Sequence, residues 1–202
     1  NPEDYVQHID FLNKAVYTKN DLSFLKEVAK AVVDSGRGAG VDGYEEFAAS
    51  VKDVTVSDDA KAVADMYLEA KKAMIVFNQN LITTEAASLL ADIALVSGHI
   101  GTPRDGILQV KAKNNSQGLV DLGITAGAEE LEGVKALVVF GEEADIDTDA
   151  LEFLAVSDTH MTALAAKADV VIPGTGFAST DGTYTNTERR LQLVQAAIEE
   201  DV

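Results

Sequence analysis

Three short apolar runs in the second half of the chain, residues 134–140, 154–156 and 170–172, are separated by thirteen residues each. Between them, residues 147–152 and 161–167 read as short helices. Parallel strands need a crossover, and consecutive elements pack on one another, so this alternation predicts a parallel, Rossmann-like α/β sheet with flanking helices. The first half carries the same pattern once. Residues 73–77 form an apolar run bounded by Lys72 and Asn78, which predicts a buried strand. Thr83 or Thr84 then caps a helix that ends at Gly98, with Ala87, Leu90, Ala91, Ala94 and Leu95 facing inward. Strand and helix together make half of a βαβ unit.

Upstream, Ser57 is a good N-cap for a helix over residues 58–72, with Val63, Met66, Tyr67 and Ala70 as its apolar face. Residues 1–52 read as a helical lead-in, with Tyr5, Ile9, Leu12 and Val16 at helical spacing, followed by Leu22, Leu25, Val28, Ala29 and Val32. Gly36, Gly38, Gly40 and Gly43 interrupt it. No buried strand precedes these glycines and no helix with Lys-Ser/Thr follows, so they read as a flexible connector and not as a phosphate loop. Residues 103–127 are rich in Gly, Asn and Lys without periodicity. They place a boundary near residue 113: residues 1–113 hold the helical lead-in and the end of one α/β domain, and residues 114–202 part of a second.

Composition narrows the partners. The chain has 202 residues, 16 Lys and Arg against 34 Asp and Glu, and a formal net charge of −18. Such a chain is repelled by phosphate backbones and anionic lipid, which excludes nucleic acid and membrane surfaces as main partners. It has no cysteine, so it forms no disulfide, thiolate nucleophile, cysteine zinc site or iron–sulfur ligation. No apolar run reaches the roughly 18 to 20 residues that span a bilayer. The opening Asn1-Pro2-Glu3-Asp4 does not read as a signal peptide and lacks an initiator Met, so the chain is expected to be processed or excised from a longer one. Cytoplasmic location is the default.

In an open α/β sheet, ligands bind beyond the carboxyl ends of the strands. Here those positions are Asn78-Gln79, Gly141-Glu142-Glu143, Ser157-Asp158 and Gly174-Thr175-Gly176. The polar stretch 177–188 is too long for a simple turn and reads as a functional loop. Thr183, Thr185 and Asn186 within it either bond local backbone or press on a ligand. No hydrolase, kinase or metal motif is present, and His8, His99 and His160 are scattered, each a surface or capping residue by default. Glu142-Glu143 reads as a solvated strand end.

Two segments nonetheless carry ordered motifs. The first holds Leu95-Val96-Ser97-Gly98-His99-Ile100-Gly101, then Asn114-Asn115-x-Gln117-Gly118 and Asp121-x-Gly123. The second holds Val156-x-Asp158, Ala168-Asp169-Val170-Val171-x-Pro173 and Asp181-Gly182-Thr183-x-Thr185-Asn186-x-Glu188-x-Arg190-x-Gln192. Together they resemble the molybdopterin oxidoreductases, in particular formate dehydrogenase alpha subunits and the large iron–sulfur subunit, or G chain, of NADH dehydrogenases. The resemblance covers most of residues 54–198. It implies a part of a multi-domain redox subunit with Mo or W held by molybdopterin guanine dinucleotide in the full-length protein. An N-terminal iron–sulfur domain, a C-terminal domain and other redox subunits, through which it reaches a membrane if at all, are the implied partners.

The positions the resemblance assigns to that cofactor are Lys111, Lys113, Asn114, Asn115, Gln117, Gly118, Glu142, Ser157 and Asp158. Asp158 is foremost, because one carboxylate can pair with the adjacent N1–H and amino donors of guanine. Its other reading is a cap for a helix starting near Thr159. Two departures weigh against a working site. Lys111-Ala112-Lys113 stands where formate dehydrogenases carry Arg-Gly-Gln, and an ammonium does not reproduce the planar fork of Arg. Asn78-Gln79-Asn80 stands where a glycine turn would let a cofactor approach the backbone. The expectation is therefore a chain inactive by itself, with no cofactor of its own, that supplies one wall of the dinucleotide site in the full protein; the rival is a cofactor-free scaffold in an NADH dehydrogenase subunit.

Overall fold

A computed structural model describes residue 16 and residues 21–125, 131–142 and 145–199. Tyr5, Ile9, Leu12, His8, the opening residues and Glu143, all singled out above, lie outside the described residues. The chain divides into two units, Asn1–Ala112 and Lys113–Val202.

The first unit is built on α1 (Asp21–Asp34), α2 (Tyr44–Ser50), α3 (Asp58–Glu69), β1 (Met74–Asn78), α4 (Thr84–Ser97) and β2 (Gly106–Val110). Helix α1 packs against α3 and α4. It buries Val28, Ala29 and Val32, spaced to lie on one helical face, against Ala60, Ala64, Leu89, Ile93 and Val96. Ser57 caps α3 by accepting the Ala60 N–H at 3.3 Å. The buried face of α3 is Ala60 and Ala64, whereas Met66 is exposed, and the helix ends at Glu69 because Ala70 turns extended.

Thr83 caps α4 by accepting the Ala86 N–H at 3.2 Å. At its far end Gly98 takes φ +80°, and the Gly98 and His99 N–H groups bond Leu95 O and Ala94 O, the Schellman arrangement. The buried apolar side chains of α4 are Ala86, Leu89, Leu90, Ile93, Ala94 and Val96, so the expected face is rotated: Ala91 and Leu95 are exposed.

Strand β1 alternates, with Ile75 and Phe77 half-buried and Met74 and Val76 exposed, and is not the doubly buried strand expected. It pairs in parallel with β2, Met74 opposite Gly106 through Asn78 opposite Val110. Strand β2 completes the βαβ unit inside the stretch 103–127, where no periodicity was expected. The glycine run is likewise not a loose connector. Gly38, at φ +82°, sits so close to α4 that a Cβ there would lie 2.3 Å from Val96 O.

The second unit holds α5 (Ser116–Asp121), β3 (Ala136–Phe140), β4 (Phe153–Asp158), β5 (Val170–Pro173), β6 (Gly182–Thr185) and β7 (Leu191–Val194). Strands β3, β4 and β5 form a parallel sheet in that order, with Val139 opposite Val156 and Val156 opposite Val171. This is the α/β architecture the alternation predicts. One face of the sheet buries Val139, Leu154 and Val156 with Leu164 and Ala165. The other presents Val138, Phe140, Phe153, Val170 and Ile172, with Phe140 72% exposed.

The two expected helices between these strands are shorter than read. Residues 147–152 form a turn in which Asp147 accepts the Asp149 N–H, and residues 161–167 contain only a 3₁₀ turn, Ala165–Lys167, in which Ala165 N–H bonds the Thr162 hydroxyl. Segments of six or seven residues gain too few hydrogen bonds to offset helix nucleation, and Asp and Thr side chains offer the backbone local alternatives. The expected long loop is a hairpin: β6 pairs antiparallel with β7, Gly182 opposite Val194.

Candidate functional site

The carboxyl ends of β3, β4 and β5 meet at one edge of the second unit. Gly141, at φ +57°, donates its N–H to Ser157 O at 2.8 Å, and Gly174 donates to Asp158 O at 2.9 Å. Backbone bonds thus hold Gly141-Glu142, Ser157-Asp158 and Gly174 side by side. Ser157 and Asp158 are the last two residues of β4, not part of the loop after it, and both are half-buried.

The Asp158 carboxylate accepts the Thr159 N–H at 2.7 Å and the Thr159 hydroxyl at 3.4 Å. Both bonds fall on Oδ1, and Oδ2 takes none among the described residues. No helix begins at Thr159, so Asp158 is not a helix cap. Lys113 reaches the same edge, donating to Glu142 Oε2 at 2.6 Å and, weakly, to Gly141 O at 3.5 Å.

The Asn-Asn-x-Gln-Gly segment does structural work around α5. Asn115 occupies the N-cap position of α5 without capping it; its Oδ1 accepts the Thr185 N–H of β6 at 2.8 Å. A Cβ on Gly118 would lie 2.4 Å from that oxygen, so glycine at the third position after Asn115 is what leaves its side chain room. Gln117 is buried and donates to Asp121 Oδ1 at 2.8 Å, and Arg189 pairs with the same oxygen at 3.4 Å. Asn114 is exposed. Lys111 belongs to the first unit, where its ammonium donates to Gln109 Oε1 at 2.8 Å.

The structure therefore brings Lys113 to Glu142 and sets Glu142 beside Ser157 and Asp158 by strand pairing. Asn115, Gln117 and Gly118 fasten α5 to itself and to β6. In the hairpin, Asn186 Oδ1 accepts the Glu188 and Arg190 N–H groups at 3.0 Å each, the local role among the two open to it.

His160 is exposed, with Nδ1 2.7 Å from the Thr159 hydroxyl, but His99 is not a surface residue: it is 3% exposed, its ring between Asp105 and the backbone oxygen of Tyr67 at the end of α3 and its N–H on Ala94 O at the end of α4. Asp105 drew no attention in the sequence, since a lone Asp after Thr102-Pro103-Arg104 reads as turn chemistry. Among the described residues no group of three or more His, Cys, Asp or Glu is placed to hold a metal ion, and no helix is long and apolar enough to cross a membrane.

The family model described as molybdopterin oxidoreductase matches residues 25–201 of this sequence. The chain belongs to the molybdopterin oxidoreductase family. Among its relatives, the F420-dependent formate dehydrogenase subunit alpha of Methanocaldococcus jannaschii is 28% identical, over 67% of this chain and 27% of that protein. The F420-dependent formate dehydrogenase 1 subunit alpha of Methanococcus maripaludis is 27% identical, over 78% of this chain and 32% of that protein. The formate dehydrogenase 2 subunit alpha of the same organism is 26% identical over the same shares. The chain thus spans between a quarter and a third of the length of these relatives.

Membership implies a molybdopterin cofactor with Mo or W. The polar groups at the β3–β4–β5 edge fit the organic part of such a group: a hydroxyl at Ser157, a carboxylate oxygen of Asp158 without a partner among the described residues, and an ammonium at Lys113. The chain has no cysteine to offer the metal itself.

Proposed function

We propose that this chain is a central portion of the catalytic subunit of a formate dehydrogenase, and that its second unit forms one wall of the site for molybdopterin guanine dinucleotide. What carries the reading is the placement of Ser157 and Asp158 at the last two positions of a parallel strand, with Asp158 Oδ2 accepting no bond among the described residues. A carboxylate there accepts two adjacent donors of guanine, and adenine, which lacks that pair, is discriminated against. Lys113 supplies a cation for a phosphate, and Asn115 and Gly118 position the start of α5. When bound, the cofactor supplies the two-electron redox chemistry of the reaction. The iron–sulfur domain, the C-terminal domain and the electron-accepting subunits belong to the remainder of the assembly, in the cytoplasm. The similarity to formate dehydrogenase alpha subunits favours that activity over an NADH dehydrogenase G chain; an NAD-linked acceptor remains part of the proposal.

One observation favours a second reading, a cofactor-free scaffold: Lys113, within the Lys-Ala-Lys replacement, is already engaged by Glu142 of its own chain. Pterin and metal analysis of the full-length polypeptide separates the two. In the full-length protein, Asp158→Asn presents an amide donor to guanine's donors, so pterin content should fall with little change in Tm. Pterin present but unchanged by the substitution overturns the role given to Asp158, and pterin absent from the unsubstituted protein supports the scaffold.

A further inference from the structure

In an Asp-Gly pair the glycine nitrogen can attack the preceding carboxyl group with little hindrance, because glycine has no Cβ to shield it or to restrict its rotation. The chain holds three such pairs: Asp42-Gly43, Asp105-Gly106 and Asp181-Gly182. The fold treats them differently. Asp105 is held on both oxygens. Its Oδ1 accepts the Ala73 N–H at 2.9 Å and lies 3.0 Å from His99 Nδ1, and Oδ2 accepts Lys72 and the Thr102 hydroxyl at 3.2 and 3.0 Å. The Ala73 N–H above all, then His99, Lys72 and Thr102, keep this carboxyl well below the usual carboxylate range, although burial opposes them. It stays an anion, the form that resists attack, and the nitrogen that would attack it is engaged: Gly106 N–H bonds Ala73 O at 3.0 Å. Asp181 is held on one oxygen, which accepts the Ala196 N–H at 2.7 Å, and Gly182 lies in the β6–β7 ladder opposite Val194.

Asp42-Gly43 has none of these restraints. Both residues are exposed, and neither the Asp42 carboxylate nor the Gly43 N–H has a hydrogen-bond partner among the described residues. They occupy the two central positions of a turn closed by the Tyr44 N–H on Val41 O at 3.1 Å. Gly43 has φ +83° and ψ −1°, as at the third position of a type II turn, and a Cβ there would meet nothing within 4 Å. Bringing the Gly43 nitrogen onto Asp42 Cγ therefore disturbs at most that one turn bond.

We propose that Asp42-Gly43 is a site of spontaneous backbone isomerisation, and that its isoaspartyl product unseats the start of α2. The Gly43 nitrogen forms a bond to Asp42 Cγ, and one carboxylate oxygen leaves as water with the amide proton and a proton from solvent, closing a succinimide. Water then adds to either ring carbonyl. Cleavage between nitrogen and Cγ restores Asp42. Cleavage between nitrogen and the backbone carbon leaves Gly43 joined through Cγ, with one extra methylene in the main chain and the carboxylate on Cα. Water is the only reactant, lost in the first step and regained in the second. Directly after this joint the chain enters α2: Gly43 O accepts the Phe47 N–H at 3.0 Å, the Tyr44 hydroxyl donates to Val33 O at 3.2 Å, and Phe47 is buried in the core of the first unit. An added methylene at Asp42 widens the ring that the turn bond closes and displaces Gly43 from the head of α2.

Trypsin places the three pairs in separate peptides, residues 38–52, 105–111 and 168–189, so mass spectrometry of aged protein tests the ranking. The full-length protein is aged folded at neutral pH, in parallel with the same protein in urea, and isoaspartate is read by electron-transfer fragmentation. At Asp42 the folded protein should convert within about tenfold of its rate in urea, since at most one hydrogen bond is given up. At Asp105 folding should slow conversion by at least about a hundredfold, since the bonds on both carboxylate oxygens and on the Gly106 N–H must be released; Asp181 should fall between. Folding that slows Asp42 as much as Asp105 overturns the site. Separated from unmodified protein, the isoaspartyl form should exchange its Tyr44 and Phe47 amides about tenfold faster. Asp42→Glu, whose longer side chain disfavours the ring, should age without that change. Equal exchange in the two forms, or the same change in aged Asp42→Glu, overturns the effect on α2; should Asp42→Glu not fold, the two forms of the unsubstituted protein decide.

Discussion

Gly38 offers a sharp test of how the first unit is closed. Gly36 and Gly38 both adopt left-handed backbone, at φ +73° and +82°, but they differ in what a side chain would meet. A Cβ on Gly36 has open space within 4 Å; one on Gly38 would lie 2.3 Å from Val96 O and 2.7 Å from Val96 Cγ1. An L-residue in the left-handed region costs about 1–2 kcal/mol, offset by about 0.4–1 kcal/mol from the stiffer unfolded chain. Gly36→Ala should therefore destabilise by about 1 kcal/mol. Gly38→Ala carries the same terms and adds overpacking, typically about 1–3 kcal/mol. The upper end applies, because the nearer clashing atom is a backbone oxygen held in α4 and cannot swing aside. We expect Gly38→Ala to exceed Gly36→Ala by about 2–3 kcal/mol. Native-state hydrogen exchange at the α1 amides of Val28, Ala29 and Val32 reads the first unit alone. Equal losses in the two variants would show that the turn does not press on α4.

Two further outcomes follow from the geometry. Asp105 has its acidity raised by folding, so its contribution is fully present above the unfolded carboxylate value of about 3.9 and is lost as pH falls through the folded value; the gap in urea midpoint between the unsubstituted protein and Asp105→Asn should be constant near neutrality and narrow below about pH 4. Asn186→Ala removes the acceptor of the Glu188 and Arg190 N–H groups, and should cost about 1 kcal/mol, seen as faster exchange of the Thr185 and Leu191 amides without loss of the β3–β4–β5 sheet.

The features legible in the sequence are those set by neighbouring residues. Ser57 and Thr83 are hydroxyls directly before helical periodicity, and Gly98 ends it, so each cap could be read locally. The face of α4 could not: Ala, Leu, Ile and Val fill nearly every position of residues 86–96, so periodicity marks a helix without marking its buried side. Strand β2 is five residues long, opens on Gly106 at φ +126° and lies beside Pro103 and Arg104, which is the composition of a turn. The site shows the same division. Asn115 and Gly118 are visible as a motif, but the reason for their spacing is the bond from Asn115 to Thr185, 70 residues on. The His99–Asp105 pair is only six residues apart, yet nothing local indicates that β1, α3 and α4 converge on it.

The two readings of the second unit's sheet edge turn on how firmly Lys113 is held. If Glu142 owned that ammonium, no phosphate could recruit it and the scaffold would be favoured. The side chains are 56% and 54% exposed, and a solvent-exposed ion pair contributes about 0–1 kcal/mol. An arriving phosphate therefore gives up little by displacing Glu142, so the pair is a weak argument against a cofactor. Asp158 is a stronger discriminator. Its Oδ1 serves Thr159, its strand position is fixed by Gly174, and its Oδ2 has no partner among the described residues. A ligand carrying paired N–H groups would gain a charge-assisted contact there, so loss of pterin on Asp158→Asn is the outcome that separates the two readings.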